Sequence, residues 1–303
     1  MSPPSHLRPT AVALLLAAVA AAGACSSVGS SGPAAHTRTY AMGFSNFPPA
    51  PDMMLSRRAV EMWLPRADAA IMHIDVPWVA LLGGASSDSL VVADVMPLVN
   101  AYRTVGLMVV IETDVTNGID RTAEAPALVM AGRSVTEDAV QQVYRRYIVS
   151  LATIAAPSYL GLASETNLIR AAGPAGVYAA VVTMTNAAAH DASDAGSHVP
   201  LYVSVQVEVA WGLLTGGSAG TFIGIAQDRS DFPFISALGL SSYPYLGGFT
   251  DPSQVPGDYF ARLAGTSLPP VLVTEGGWSS ASVGAVHSSP ALQAAWIRRA
   301  ASL

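Results

Sequence analysis

The chain carries seven glutamates, at positions 61, 112, 124, 137, 165, 208 and 275. Four of them, Glu112, Glu165, Glu208 and Glu275, fall at or near the carboxyl ends of short apolar, β-branched segments. Glutamate is depleted in strands, so scatter alone would favour helices. Two carboxylates facing one cleft can divide a reaction between them. The protonated one gives a proton to a leaving oxygen, and the ionised one attacks the carbon that oxygen leaves, which is the chemistry of glycosidic bond cleavage. Such a division needs different environments, so that the two groups titrate apart. Glu165 closes the fourth apolar segment and Glu275 the seventh.

Other chemistries are excluded by composition. All 15 basic residues are arginine, so there is no Schiff-base lysine, cofactor-anchoring lysine or P-loop lysine. One cysteine can form neither an internal disulfide nor a Cys-rich zinc site. The six histidines are dispersed and form neither HExxH nor a first-strand HxH, so no metal or other cofactor is expected. A net charge of −6 without a basic block argues against nucleic acid as a partner.

The elements that must position the glutamates can be read from apolar patterning. Strand candidates are residues 40–45 (YAMGFS), 70–76 (AIMHIDV), 107–114 (LMVVIETD), 159–164 (YLGLAS), 201–209 (LYVSVQVEV), 235–242 (ISALGLSS) and 271–275 (VLVTE). Between them lie helix-like segments at 53–66, 94–105, 136–154, 176–192, 224–229, 258–264 and 289–303. The third opens with a capping signal from Ser134, Thr136 and Glu137, and the last with Ser289 then Pro290. Apolar strands alternating with helices predict a parallel sheet covered by helices. Seven βα units make a (β/α)8 TIM barrel that stops one unit short, with the eighth strand expected to be missing.

Further residues join the pair as candidates for binding substrate. Tyr243 and Tyr245 follow the sixth strand, and Trp278 follows Glu275 by three residues. Trp211 and Glu208 end the fifth strand. His73 and Asp75 alternate with apolar neighbours in the second, so both should face the barrel interior, and Glu112 does so in the third. Each has an ordinary structural alternative, as a core aromatic or a mutually satisfied polar pair.

A competing motif is the GxSxG run at 216–220, centred on Ser218, with Asp251, Asp258 and His287 following in the order of a serine esterase. That motif requires a strand directly before it and a helix directly after. Here residues 211–215 intervene and 221–225 are β-branched, so a Gly-rich loop is the simpler reading.

The segments 271–280 (VLVTEGGWSS) and 159–167 (YLGLASETN), with SSYPY at 241–245 and MGFSNFPPAP at 42–51, resemble clan A, the retaining glycoside hydrolases built on (β/α)8 barrels. The arabinogalactan endo-β-1,4-galactanases and a group of β-mannanases are nearest. The resemblance covers about residues 40–303. It implies Glu165 as acid/base, Glu275 as nucleophile, a tyrosine at 243 or 245 that orients the nucleophile, and a galactan- or mannan-like substrate. Clan A usually has Asn immediately before the acid/base, bonded to the sugar 2-hydroxyl. Here Ser164 stands there, with Asn167 two residues beyond Glu165. These departures leave a non-catalytic sugar-binding barrel as a further alternative.

The first 24 residues read as a secretory signal: His6 and Arg8, then the apolar run 11–22, then small residues. Cys25 falls where a bacterial lipoprotein is lipidated, with Ala22 where Leu is usual, and 25–38 reads as a tether before the 39–303 barrel. The expectation is an exported protein, a membrane-anchored cell-surface or periplasmic lipoprotein or otherwise secreted.

Overall fold

The computed structural model describes residues 38–45, 52–214, 220–265 and 269–303. Cys25, the signal and nearly all of the tether lie outside the described residues, as does Ser218. The strands are β1 (Gly43–Ser45), β2 (Ala69–Asp75), β3 (Met108–Asp114), β4 (Tyr159–Gly161), β5 (Leu201–Tyr202), β6 (Ser204–Gln206), β7 (Leu238–Ser242) and β8 (Val271–Gly276). Every pairing is parallel. One sheet runs β1-β2-β3-β4-β5 and the other β6-β7-β8. β5 and β6 are the single expected fifth strand, interrupted at Val203, so the two sheets are successive arcs of one wall. Each of the seven expected strands is therefore present.

Helices follow the strands: α1 (Met53–Trp63), α2 (Met96–Thr104), α3 (Asp138–Ser150), α4 (Thr166–Ala172), α5 (Val177–Asp194), α6 (Val207–Ala210), α7 (Ala226–Asp231), α8 (Ala261–Ala264) and α9 (Pro290–Ala300), with shorter turns between. Their starts have local causes. The Asp52 carboxylate accepts from the Met54 and Leu55 amides, and Ser289 accepts from Leu292, with Pro290 in the first turn of α9. The expected cap of α3 works differently. Glu137 reaches back to the Ser134 amide at 2.7 Å, and the helix begins one residue later at Asp138.

Period-two alternation sorts β3 into two faces. Val109 and Ile111 join the outer core with Leu98, Tyr102, Tyr144 and Ile148, and Val110 turns inward to Tyr202 and Ala237. Partly buried Ile71, Tyr159 and Leu272 complete this inner plug. Above it Val110 gives way to Glu112 and Asp114 on the same face, so the barrel changes from apolar to ionisable along one strand. On β8, Val271 and Val273 remain 40% and 48% exposed. Among the described residues no strand pairs with the outer edge of β1 or β8.

Two glycines make room for the Tyr202 ring. A Cβ on Gly161 would lie 2.7 Å from Tyr202 Cζ and 2.9 Å from Glu112 Cγ. One on Gly239 would lie 2.8 Å from Tyr202 Cδ2. Such contacts force a shift in a packed interior. Gly161→Ala is expected to destabilise the fold by about 1–3 kcal/mol. Thermal unfolding checks this, and an unchanged midpoint would mean that the Tyr202 ring is not closely held.

Candidate active site

Glu165 sits on the turn between β4 and α4, 9% exposed, in the left-handed region at φ 48°, ψ 48°. Such a conformation is uncommon outside glycine and persists where surroundings fix it. The fixing bonds lie beneath the site: the Glu165 amide donates to Ser204 Oγ at 3.0 Å, and Ser204 Oγ donates to Glu112 Oε1 at 2.6 Å. The other Glu112 oxygen accepts from the Tyr202 hydroxyl at 3.0 Å. Glu112 is fully buried and serves as the floor of the site.

Glu275 lies in β8, facing the same interior. Its Oε2 accepts from the Tyr243 hydroxyl at 3.2 Å. Between Glu165 and Glu275 stands Arg121, 5% exposed, from the loop after β3. Its Nη1 lies 2.6 Å from Asp114 Oδ1, its Nε 3.4 Å from Glu165 Oε2 and its Nη2 3.6 Å from Glu275 Oε1. Thus one guanidinium reaches both expected catalytic carboxylates. Its loop is shaped by Asn117, whose Oδ1 accepts from the Ile119 and Asp120 amides, and by a bridge between Thr116 and Glu124.

Charge in this interior is governed by burial and by that cation. Burial and the Glu275 charge push Glu165 above the ordinary carboxylate range, against the downward pull of Arg121 and the Ser241 hydroxyl. Burial also raises Glu275; His73 and Arg121 oppose this, and the charges of Glu112 and Asp114 add to it. Burial would favour a neutral Arg121, but Asp114, Glu165, Glu275 and Glu112 outweigh it and hold the guanidinium charged. Tyr243 is raised by burial and by the adjacent Glu275, so its hydroxyl stays a donor. Glu275 has His73, Arg121 and the Tyr243 hydroxyl around it, whereas Glu165 has Arg121 and the Ser241 hydroxyl. The anion is better supported on Glu275.

The remaining sequence candidates divide by placement. Ser164 is buried and donates to Asp114 Oδ1 at 2.8 Å, bracing the carboxylate that Arg121 grips. Asn167 is 1% exposed and clasps Gln206, donating to its carbonyl and accepting from its amide, both at 2.8 Å. His73 lies 3.6 Å from Glu275, and Asp75 ends β2 at an exposed position. Tyr245 is half-buried, its ring 6.2 Å from Tyr243 and 5.8 Å from Trp278.

Three candidates are turned away from any cleft. Glu208 was expected at a strand end, but the strand stops at Gln206, whose side chain accepts from the Val209 amide and starts α6. Glu208 is then fully buried, accepting from Ser242 and Tyr259 hydroxyls at 2.9 Å each, and burial raises its pKa. Alternation cannot reveal a side-chain cap, which is why the strand reading ran three residues too far. Trp211 stacks on Tyr259 at 5.0 Å and has Arg262 5.0 Å from its ring centre, so its surface is engaged within the protein. Trp278 is 2% exposed, packed between Tyr245 and Trp296.

Arg121 was not a sequence candidate. A signal for it existed: several acidic groups turned into one barrel interior require a cation, and Arg121 follows Asp114 by seven residues. Among the described residues, His73, Glu112 and Glu275 could present one nitrogen and two oxygens to a metal, all within 4.8 Å of one another. Each is already engaged, however, and Arg121 occupies the Glu275 oxygen that also faces His73.

No protein-family model matches the sequence, and no curated protein matches it. Solved structures do resemble it. The exo-β-1,4-mannosidase Op5Man5 from Opitutaceae bacterium strain TAV5 superposes with a TM-score of 0.58 at 15% identity, over 85% of this chain and 49% of that one. This chain thus spans about half the length of that neighbour. A β-glucosidase, 1317, superposes at 0.51 with 14% identity, over 77% of this chain and 68% of its own. The chain shares the parallel βα-barrel fold of these two proteins.

Proposed function

We propose that the chain is a retaining glycoside hydrolase acting on β-linked poly- or oligosaccharide, galactan- or mannan-like, with Glu165 as acid/base and Glu275 as nucleophile. The observation that carries the reading is Arg121, one guanidinium within 3.4 Å of Glu165 and 3.6 Å of Glu275. It brings residues 110 positions apart to one point at the carboxyl ends of the strands, where barrels of this kind do chemistry. The Tyr243 hydroxyl on Glu275 matches the expected orienting tyrosine. The fold likeness to a mannosidase and a glucosidase adds support.

In this mechanism Glu165, held protonated by burial, gives its proton to the glycosidic oxygen as the bond to the anomeric carbon breaks. Glu275, ionised under His73, Arg121 and Tyr243, attacks that carbon and forms a glycosyl ester. Glu165, now ionised, takes a proton from water, which hydrolyses the ester and frees Glu275. Two inversions give net retention.

Glu275→Ala is expected to reduce turnover of an activated aryl β-glycoside by about a thousandfold or more, and azide should restore it as the inverted glycosyl azide. Full activity without azide would remove Glu275 from the mechanism. Proton NMR of the first-formed sugar should report the β-anomer, and the α-anomer would refute retention. Ser218→Ala should leave this activity intact, which separates the glycosidase from the esterase. A sugar-binding barrel without catalysis would hold oligosaccharide yet turn over none.

Activity requires Glu275 deprotonated, above its pKa, and Glu165 protonated, below its pKa. Removing the Arg121 charge raises both, so Arg121→Met should move both limbs of the kcat/KM profile to higher pH and lower its maximum. A profile that keeps its position would mean that Arg121 does not set these charges.

We also propose export and anchoring through Cys25. No helix among the described residues is long and apolar enough to cross a membrane. Cys25→Ser should abolish labelling with radioactive palmitate and release the protein from the membrane fraction; unchanged labelling would rule out Cys25 as the anchor.

A further inference from the structure

β2 and β8 belong to different sheets and exchange no backbone hydrogen bonds. β1 pairs with the lower part of β2 only, its last partner being Ile71. Two residues further along β2, at the height of the site, His73 stands where the described residues offer no strand pairing on that side. Its imidazole reaches β8 instead. Nε2 lies 3.3 Å from the Thr274 carbonyl oxygen, across 201 residues of sequence, and Nδ1 lies 3.6 Å from Glu275 Oε1. The side chain is 7% exposed, so water does not dilute these contacts.

Both ring nitrogens therefore face oxygen acceptors, one on the backbone and one on a carboxylate. A neutral imidazole has one donor and cannot satisfy both, whereas the imidazolium has two. We propose that His73 is a positioning residue that ties β8 to β2 at the residue before the nucleophile and holds the Glu275 carboxylate oriented and ionised. This rests on the reading of Glu275 as nucleophile. It replaces the sequence expectation that His73 binds sugar.

The charges around the pair come from every neighbouring element. His73 faces Glu275 from β8 and its register partner Glu112 from β3, and Asp75 lies two residues further along its own strand. Glu275 meets in addition Arg121 and Asp114 from β3 and its loop, Glu165 after β4, and the Tyr243 hydroxyl after β7. Arg121 is the second cation on the same Glu275 oxygen that His73 faces. Removing His73 leaves that cation in place, so the expected change is partial.

The test uses the full chain labelled with 13C at glutamate side-chain carboxyls. Seven glutamates give few signals, and Glu275→Gln assigns the one of interest. In His73→Gln, whose amide can still donate to the Thr274 carbonyl but carries no charge, the Glu275 titration midpoint should rise by about one pH unit. In His73→Ala it should rise as far, with a lower thermal midpoint from the lost tie. The acid limb of kcat/KM should move with it, through kcat rather than KM. An unmoved Glu275 midpoint in either variant overturns the proposal. In the unmodified chain, 15N signals of the His73 ring should report both nitrogens protonated while Glu275 is ionised, and a single-donor tautomer there overturns it too. The carboxyl titration needs no substrate. A shifted midpoint in a chain that cleaves no glycoside supports the hold of His73 on Glu275 and refutes the glycosidase reading alone.

Discussion

Four carboxylates, on Glu112, Asp114, Glu165 and Glu275, face one interior in which the Arg121 guanidinium is the central cation. Transferring a lone carboxylate from water into such a space costs several kcal/mol. An opposite charge 4 Å away returns about 4 kcal/mol at an effective dielectric of 20. The cluster stands because Arg121 is in contact with three of the four, at 2.6, 3.4 and 3.6 Å. The fourth, Glu112, is satisfied by the Tyr202 and Ser204 hydroxyls. Every other feature of the site follows from where this cation is held.

Asp114 holds it. The Asp114 carboxylate receives both Arg121 and the Ser164 hydroxyl on the same oxygen, which joins the ends of β3 and β4. Ser164 thus has a local use: its short side chain is turned down to brace the ion pair. Beneath it, Glu112 fixes Ser204 and Ser204 fixes the backbone of Glu165 in its left-handed turn. A chain of hydrogen bonds therefore runs from the barrel floor to Glu165, and Tyr202 on the floor fits because Gly161 and Gly239 lack side chains. The second buried carboxylate cluster, Glu208 with Ser242, Tyr259 and Gln206, does comparable work outside the cleft by binding α6 to the end of β7.

The two candidate catalytic groups are made unlike by their neighbours. Both are raised by burial, but Glu275 has His73, Arg121 and Tyr243 around it, whereas Glu165 has Arg121 and the Ser241 hydroxyl. A difference of this kind lets one carboxyl donate a proton while the other remains an anion at the same pH. The likeness to solved structures is one of fold, and the difference between the two carboxyls comes from this chain's own residues.

The order of strands, the parallel βα plan and the convergence of Glu112, Glu165 and Glu275 were legible in the sequence. Each depends on local patterning, with alternation within a strand and the repeated exchange of apolar runs for amphipathic ones. The residues that failed to reach the cleft did so for reasons that patterning does not contain. Glu208 was withdrawn by a side-chain cap on α6, Trp211 by stacking on Tyr259 and Arg262, and Asn167 by its clasp on Gln206. The contacts that Arg121 makes and the reach of His73 to β8 were not fixed by patterning, for the opposite reason. Their partners lie 44, 154 and 201 residues away in sequence, and only closure of the barrel brings those partners within range of a charge. Sequence alone placed Glu112, Glu165 and Glu275 at strand ends. Tertiary structure decided which cations meet them there, because Coulomb energy depends on separation in space and not along the chain.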